Sequence, residues 1–220
     1  MLAGHLGAAL VGKTVEPRLN LGVLLLAALL ADVLLWCLVL VGVEHVLAPV
    51  SSGGARFFTF VFPYSHGLVA SAAWAMAAAL LVRAWWFGAG SERMRVSGTV
   101  GLVAFSHFAL DWIVHVPDLP ILAASSPKVG LGLWRDMPLA LALELTLAGA
   151  ALWLYLHALR PPRGRAIAAG AMVAMTGALT ALGPYASGPP PPPAAIAGSS
   201  LVLLLIVVGA GFALERGSRR

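Results

Sequence analysis

Residues 19–47 read LNLGVLLLAALLADVLLWCLVLVGVEHVL, and this stretch decides the fold. A helix rises about 1.5 Å per residue, so about 20 mostly apolar residues cross the hydrocarbon of a bilayer. Between Leu19 and Val43 only Asp32 carries a charge. Five further stretches have the same character, at 65–87, 96–116, 138–159, 166–182 and 194–214. The whole chain agrees: of 220 residues, 60% are hydrophobic and 10% are charged. A soluble domain carries about 25% charged residues. Such a chain cannot clothe a water-facing surface, so lipid is the solvent for most of its side chains. A free soluble enzyme, a disulfide-stapled secreted domain and a disordered regulator are excluded. Cys37 is the one cysteine and sits in an apolar run, which leaves no disulfide framework and no cysteine zinc site. The expected architecture is an all-α, polytopic membrane bundle of about six transmembrane helices, forming one domain over residues 1–220.

Basic residues orient this bundle. With the N-terminus inside, Lys13, Arg18, Arg83, Arg93, Arg95, Arg160, Arg163, Arg165, Arg216, Arg219 and Arg220 fall on the inner side. Only Arg56, Lys128 and Arg135 fall outside. Positive residues concentrate in cytoplasmic loops, so the expectation is six spans with both termini cytoplasmic. The same distribution explains the net charge of +5 without nucleic acid as a partner. Residues 1–11 are apolar, too short to cross, and lack the order of a removable signal peptide. A short re-entrant or interfacial helix carrying His5 is expected there. In the short fifth stretch, Gly170, Ala171, Ala174, Gly177, Ala178 and Ala181 suit either close helix packing or a plain lipid-facing surface. Residues 188–193 hold five consecutive prolines and read as a stiff polyproline linker.

The acidic residues divide into two sets. Glu16, Glu92 and Glu215 lie among basic neighbours on the inner side, whereas Asp32, Glu44, Asp111, Asp118, Asp136 and Glu144 lie within spans or outside. A carboxylate at mid-bilayer costs at least about 2.5–3.5 kcal/mol on insertion scales, so several together need pairing, a metal or a water-filled cavity. The third span carries SHFALDWIVHVPD, with His107, Asp111 and His115 at steps of four. Each step turns about 400°, so the three share one helix face. Residues at i and i+4 can chelate one ion, as in helical zinc motifs. The full row is about 12 Å long, so either His107 and Asp111 bind one ion with His115 behind them, or two ions lie along the face.

Other spans supply partners at similar depth. Asp32 falls near mid-membrane, Glu44 and His45 near the outer edge, and His66 of Pro63-Tyr64-Ser65-His66 at the outer rim. Asp136 suits a helix cap and Glu144 lies two turns deeper. Acidic residues of the first, third and fourth spans can therefore converge on a pocket open to the extracytoplasmic side. Each residue also has a plainer reading. His45 suits a helix–helix hydrogen bond, His157 an interfacial position, and Trp85, Trp86 and Trp134 an aromatic belt.

The segment SHFALDWIVH, with PYSHG before the second span and Asp32 in the first, resembles the bacterial membrane-bound metal-dependent hydrolases. More closely, the chain is similar to a group of multi-span bacterial membrane proteins with the same succession of elements. Here these are Gly4-His5, residues 63–66, residues 106–111 followed by 115–120, GLGLW at 130–134 and the proline run. The resemblance implies a divalent metal, expected to be zinc, held by His66, His107 and Asp111, with Asp32 as a further carboxylate and His5 as a matching N-terminal histidine. The function it implies is metal-dependent hydrolysis of a lipid or lipid-linked substrate in the bacterial inner membrane. Asp32 would then be a ligand or general base, His115 either an orienter of a ligand from behind or a proton carrier, and Glu144 would complete a pocket also lined by Ser65 and Asp118. Two other readings fit the same residues: an ion- or proton-coupled permease, and a membrane scaffold in which the polar row only locks helices together.

Overall fold

A computed structural model describes residues 1–216. Arg219 and Arg220, two of the expected inner basic residues, lie outside them. The described residues form helices α1 (Leu2–Val15), α2 (Leu21–Ala28), α3 (Leu30–Leu40), α4 (Leu68–Trp85), α5 (Gly90–Val114), α6 (Met137–Leu159), α7 (Arg163–Leu182) and α8 (Pro193–Leu214). Helices α4 to α8 are each long and apolar enough to cross a membrane, and α2 with α3 makes a sixth, broken crossing bent by 55°. The all-α membrane bundle read from the sequence is the fold.

Local chemistry sets the helix ends. The Asn20 side chain accepts from the Gly22 amide and opens α2. Asp136 caps α6 through the Leu139 amide, as its position suggested. Arg160, at φ +46°, closes α6 ahead of Pro161 and Pro162, which cannot continue a helix. Pro192 (φ −56°, ψ 145°) has polyproline geometry and leads into α8. Arg56 donates to the carbonyls of Ala186 and Gly188, tying this linker to the loop end of the bundle.

The first apolar stretch is not the single helix expected over 19–47. It breaks at Leu29, and α3 stops at Leu40. Gly42, at φ +75°, turns the chain, and the amides of Val43 and Glu44 both donate back to the Leu38 carbonyl. Strand β1 (His45–Val46) comes next and pairs antiparallel with β4 (Phe60–Val61), enclosing the hairpin of β2 (Val50–Ser52) and β3 (Ala55–Phe57). A third ladder joins β5 (Leu119–Pro120) to β6 (Lys128–Val129). Hydropathy cannot separate such short apolar strands from the end of a helix; Gly42 is the residue that does.

Helix α1 is embedded in the bundle rather than lying on its surface. Nine of its 14 residues are buried, and it packs along α6, α2 and α5. Its glycines permit this closeness: a Cβ on Gly12 would meet Val103 at 2.6 Å. Its far end is pinned by Lys13, whose ammonium donates to the Pro17 and Leu19 carbonyls and pairs with Glu215 at 2.8 Å. In α7 the buried face runs through Ala169, Met172, Thr176 and Gly177. Of the small residues named in that span, Gly177 alone is buried and Ala171, Ala174 and Ala178 are exposed, so of the two readings the outward-facing surface fits most of them.

Candidate metal centre

Two histidines are aimed before any ion is considered. In α5, His107 and Asp111 stand one turn apart. The His107 Nδ1–H donates to the Ala28 carbonyl at 2.7 Å, at the bend between α2 and α3. His66 lies just before α4, in the turn closed by its amide donating to the Phe62 carbonyl. Its Nδ1 is 2.8 Å from Ser65 Oγ, and that hydroxyl is 2.6 Å from Glu44 Oε2. Glu44 Oε1 also accepts from the amides of Tyr64 and Ser65 at 2.8 and 3.0 Å. A carboxylate only accepts, so the serine proton points to Glu44 and its lone pair takes the His66 Nδ1–H. In its neutral form each imidazole held this way turns an Nε2 lone pair inward.

Those two lone pairs face each other at 3.1 Å. Asp111 Oδ2 is 3.1 Å from His107 Nε2 and 3.6 Å from His66 Nε2. Asp32 Oδ1 completes the group at 3.6 Å from His66 and 3.9 Å from His107. Acceptors crowded against acceptors repel unless something positive lies among them. Donors held about 2.0–2.1 Å from a tetrahedral zinc lie about 3.3–3.4 Å apart, inside the range of the separations seen here. Two carboxylates can offset the charge of a divalent ion, beside the one positive charge already there, the Met1 ammonium 3.9 Å from Asp111 Oδ1. His66, His107 and Asp111 thus form a buried group that can hold a metal ion. His5, Asp32 and His107 form a second combination with ligand atoms within 4.8 Å of one another.

The remaining expected site residues fall into two sets. His5 belongs to the cluster: its ring stacks on His107 with centroids 3.7 Å apart, and its Nε2 is 3.2 Å from Asp111 Oδ1. His5 Nε2 and Asp111 Oδ1 are thus buried facing each other, with the Met1 ammonium 3.9 Å from the same oxygen, and His5 Nδ1 is buried without a hydrogen bond among the described residues. His115 has left the helix at its C-cap position. Its Nδ1–H donates to Asp118 Oδ1 at 3.0 Å, and its Nε2 lies 3.8 Å from Asp111 Oδ2. His115 is not among the residues whose ligand atoms gather within 4.8 Å of one another. Ser65 acts through His66, whose ring it orients.

Glu144 is elsewhere. Its Oε1 accepts from the amides of Ala3 and Gly4 at 2.9 and 3.3 Å, capping α1 from α6. It positions His5 one residue further on and does not line the cluster. Trp134 is also displaced from expectation. Instead of an interfacial belt it packs on the His115 ring, with centroids 4.1 Å apart. The GLGLW loop holds it there: Leu131 and Gly132 amides donate to the carbonyls of Trp112 and His115 at 2.8 and 2.7 Å. Gly130 (φ +150°) runs so close that a Cβ would meet the His115 carbonyl at 2.4 Å. Glu44, which aims His66 through Ser65, was placed by sequence only at a span edge; Gly42 and PYSH together are the signal that the chain folds back there.

The cluster opens through Asp32, whose side chain keeps 23% exposure, into a cavity of about 220 Å³. Its other walls are largely apolar, with Leu35, Trp36, Phe60, Phe62, Trp134 and Leu203 around the ionisable groups. Fold and site together define a polytopic, all-α membrane protein with a buried His/Asp cluster able to hold a metal ion. No family model, curated protein or solved structure matches the chain.

Proposed function

We propose that the protein is a metal-dependent hydrolase of the membrane interior that acts on a lipid or lipid-linked ester or phosphoester. The observation that carries this reading is His115, which lines the same cavity as the ligand cluster and is held from behind by Asp118. The donor set of two imidazoles and two carboxylates suits zinc. A bound divalent ion would supply Lewis acidity and bring the pKa of a bound water toward neutrality. The protein's own residues supply the rest. His115 Nε2 accepts the proton of the attacking water, Asp118 orients the ring and stabilises the imidazolium, and the same proton then goes to the leaving oxygen. Trp134 and Phe62, packed about His115, exclude bulk water from that transfer.

The apolar cavity walls favour a substrate with an acyl or isoprenoid portion over a soluble one. The resemblance of SHFALDWIVH and PYSHG to membrane-bound metal-dependent hydrolases supports the same assignment. The bias of basic residues toward the other end of the bundle supports a site on the extracytoplasmic side of a bacterial inner membrane. Detergent-purified protein, tested for metal content and for hydrolysis of a panel of lipid esters and lipid phosphates, decides the matter. The wild type is expected to carry stoichiometric metal and turn over at least one panel member, with both lost in His107→Ala. Equal metal content in wild type and His107→Ala overturns the assignment.

A further inference from the structure

At the end of the bundle opposite the metal cluster, a cavity of about 840 Å³ opens between α2, α4 and α6, closed by the end of α8. Its own residues do not balance its charge. Lys13 is taken by Glu215 at 2.8 Å and Arg18 by Glu92 at 3.2 Å. Arg160 and Arg165 also line the cavity; neither guanidinium makes an ion pair or hydrogen bond among the described residues, Arg165 lying within electrostatic reach of the Tyr155 hydroxyl. Their backbone placement is fixed. Arg160 occupies the left-handed closing position of α6, Pro161 and Pro162 come next, and the start of α7 has no side-chain cap. Two guanidiniums and an uncapped helix start therefore meet at one wall, and all three favour an anion with several acceptor oxygens. The other walls are of different chemistry: Val23, Val82, Phe87 and Leu159 are apolar, and Trp85 adds an indole N–H that can only donate. Trp85 and Phe87 are largely exposed, the position of aromatic side chains at a membrane–water boundary.

We propose that this cavity is a binding site for an anionic glycerophospholipid, with the phosphodiester at Arg160 and Arg165 and an acyl chain along Val23 and Val82. Basic pockets between transmembrane helices hold anionic headgroups in this way. A soluble phosphoester would satisfy the guanidiniums but leave the apolar wall without a partner. The site shares no residue with the metal cluster and stands whether or not that cluster is catalytic.

The test is native mass spectrometry of the full chain released from detergent with added phosphatidylglycerol or phosphatidylcholine, and with inorganic phosphate as competitor. The wild type is expected to retain phosphatidylglycerol at least about tenfold more tightly than phosphatidylcholine, the factor one charge-assisted contact supplies. An Arg160→Gln, Arg165→Gln double variant is expected to bring that ratio close to one, with metal content and melting temperature unchanged. Arg83→Gln, which removes an exposed charge from the same end but outside the cavity, should keep the preference. Arg165→Lys, which keeps charge but not the fork, should keep part of it. Equal retention of the two lipids by wild type overturns the proposal, as does an Arg83→Gln loss as large as the double variant's. Displacement of the lipid by millimolar inorganic phosphate would assign the site to soluble phosphoesters instead and overturn the lipid assignment. If the double variant does not fold, Arg165→Lys and Arg83→Gln, compared with wild type, still decide it.

Discussion

Replacing Glu44 by Gln exchanges one carboxylate oxygen for an amide nitrogen, and the surrounding hydrogen bonds fix the outcome. Glu44 takes three of them, two from the Tyr64 and Ser65 amides through Oε1 and one from Ser65 Oγ through Oε2. The glutamine carbonyl can keep the amides, but its NH₂ then faces Ser65 and donates. The serine hydroxyl must turn its proton to His66 Nδ1, which becomes the acceptor, so the proton of the imidazole moves to Nε2. That nitrogen lies 3.1 Å from His107 Nε2, at the position where a metal ligand needs a lone pair. Groups that orient metal-binding histidines contribute about 10- to 100-fold in affinity, or about 1.4–2.7 kcal/mol. The upper end is expected here because the wrong tautomer is enforced rather than merely allowed. Zinc affinity of detergent-purified protein, measured by competition with a chelator of known affinity, reads the effect. Ser65→Ala breaks the relay differently, leaving Nδ1 without a partner. In that background Glu44→Gln should cost little more, so the two changes must be strongly non-additive. Unchanged affinity in Glu44→Gln, or two simply additive losses, would refute the relay.

Four more perturbations probe other parts of the geometry. Asp118→Asn is expected to lower turnover by about 10²- to 10⁴-fold while metal content stays the same; loss of metal alongside activity would make Asp118 a structural residue. Chelator should lower the melting temperature of wild type but not of His107→Ala, since an ion at 100 times its Kd stabilises by about 2.7 kcal/mol. Glu144→Ala leaves the Ala3 and Gly4 amides unpaired and should cost about 1–3 kcal/mol in a denaturation series, most of it recovered by Glu144→Gln. In Gly130→Ala the new methyl meets the His115 carbonyl at 2.4 Å, so turnover should fall with metal retained; full activity would show that the GLGLW loop does not hold His115.

The bundle was legible because hydropathy over twenty residues is a strong signal; α4, α6, α7 and α8 begin and end within three residues of the stretches read. The start of α5 and the end of the first stretch were not, for separate reasons. Arg93 and Arg95 are hydrophilic yet helical, and residues 41–47 are mostly apolar yet turn out of the helix into a hairpin. Within the site, spacing placed His107 and Asp111 together because both lie on one helix. It could not place Glu144, whose task depends on where α1 begins in space, nor distinguish Trp134 at a membrane boundary from Trp134 against an imidazole. His5 was visible only through resemblance, since nothing in residues 1–15 shows which helix they lie beside.

The elbow at Leu29 has a mechanical consequence. In a straight rod, each carbonyl serves the amide four positions ahead, and for Ala28 that position is Asp32. Straightening the elbow would bring the Asp32 amide onto the carbonyl that anchors His107 and rotate Asp32 with the same motion. With an ion bound, its grip and the elbow angle would be reciprocally linked, and tilted half-rods respond to bilayer thickness. A thinner or thicker lipid environment would then reach a bound ion through that one peptide carbonyl.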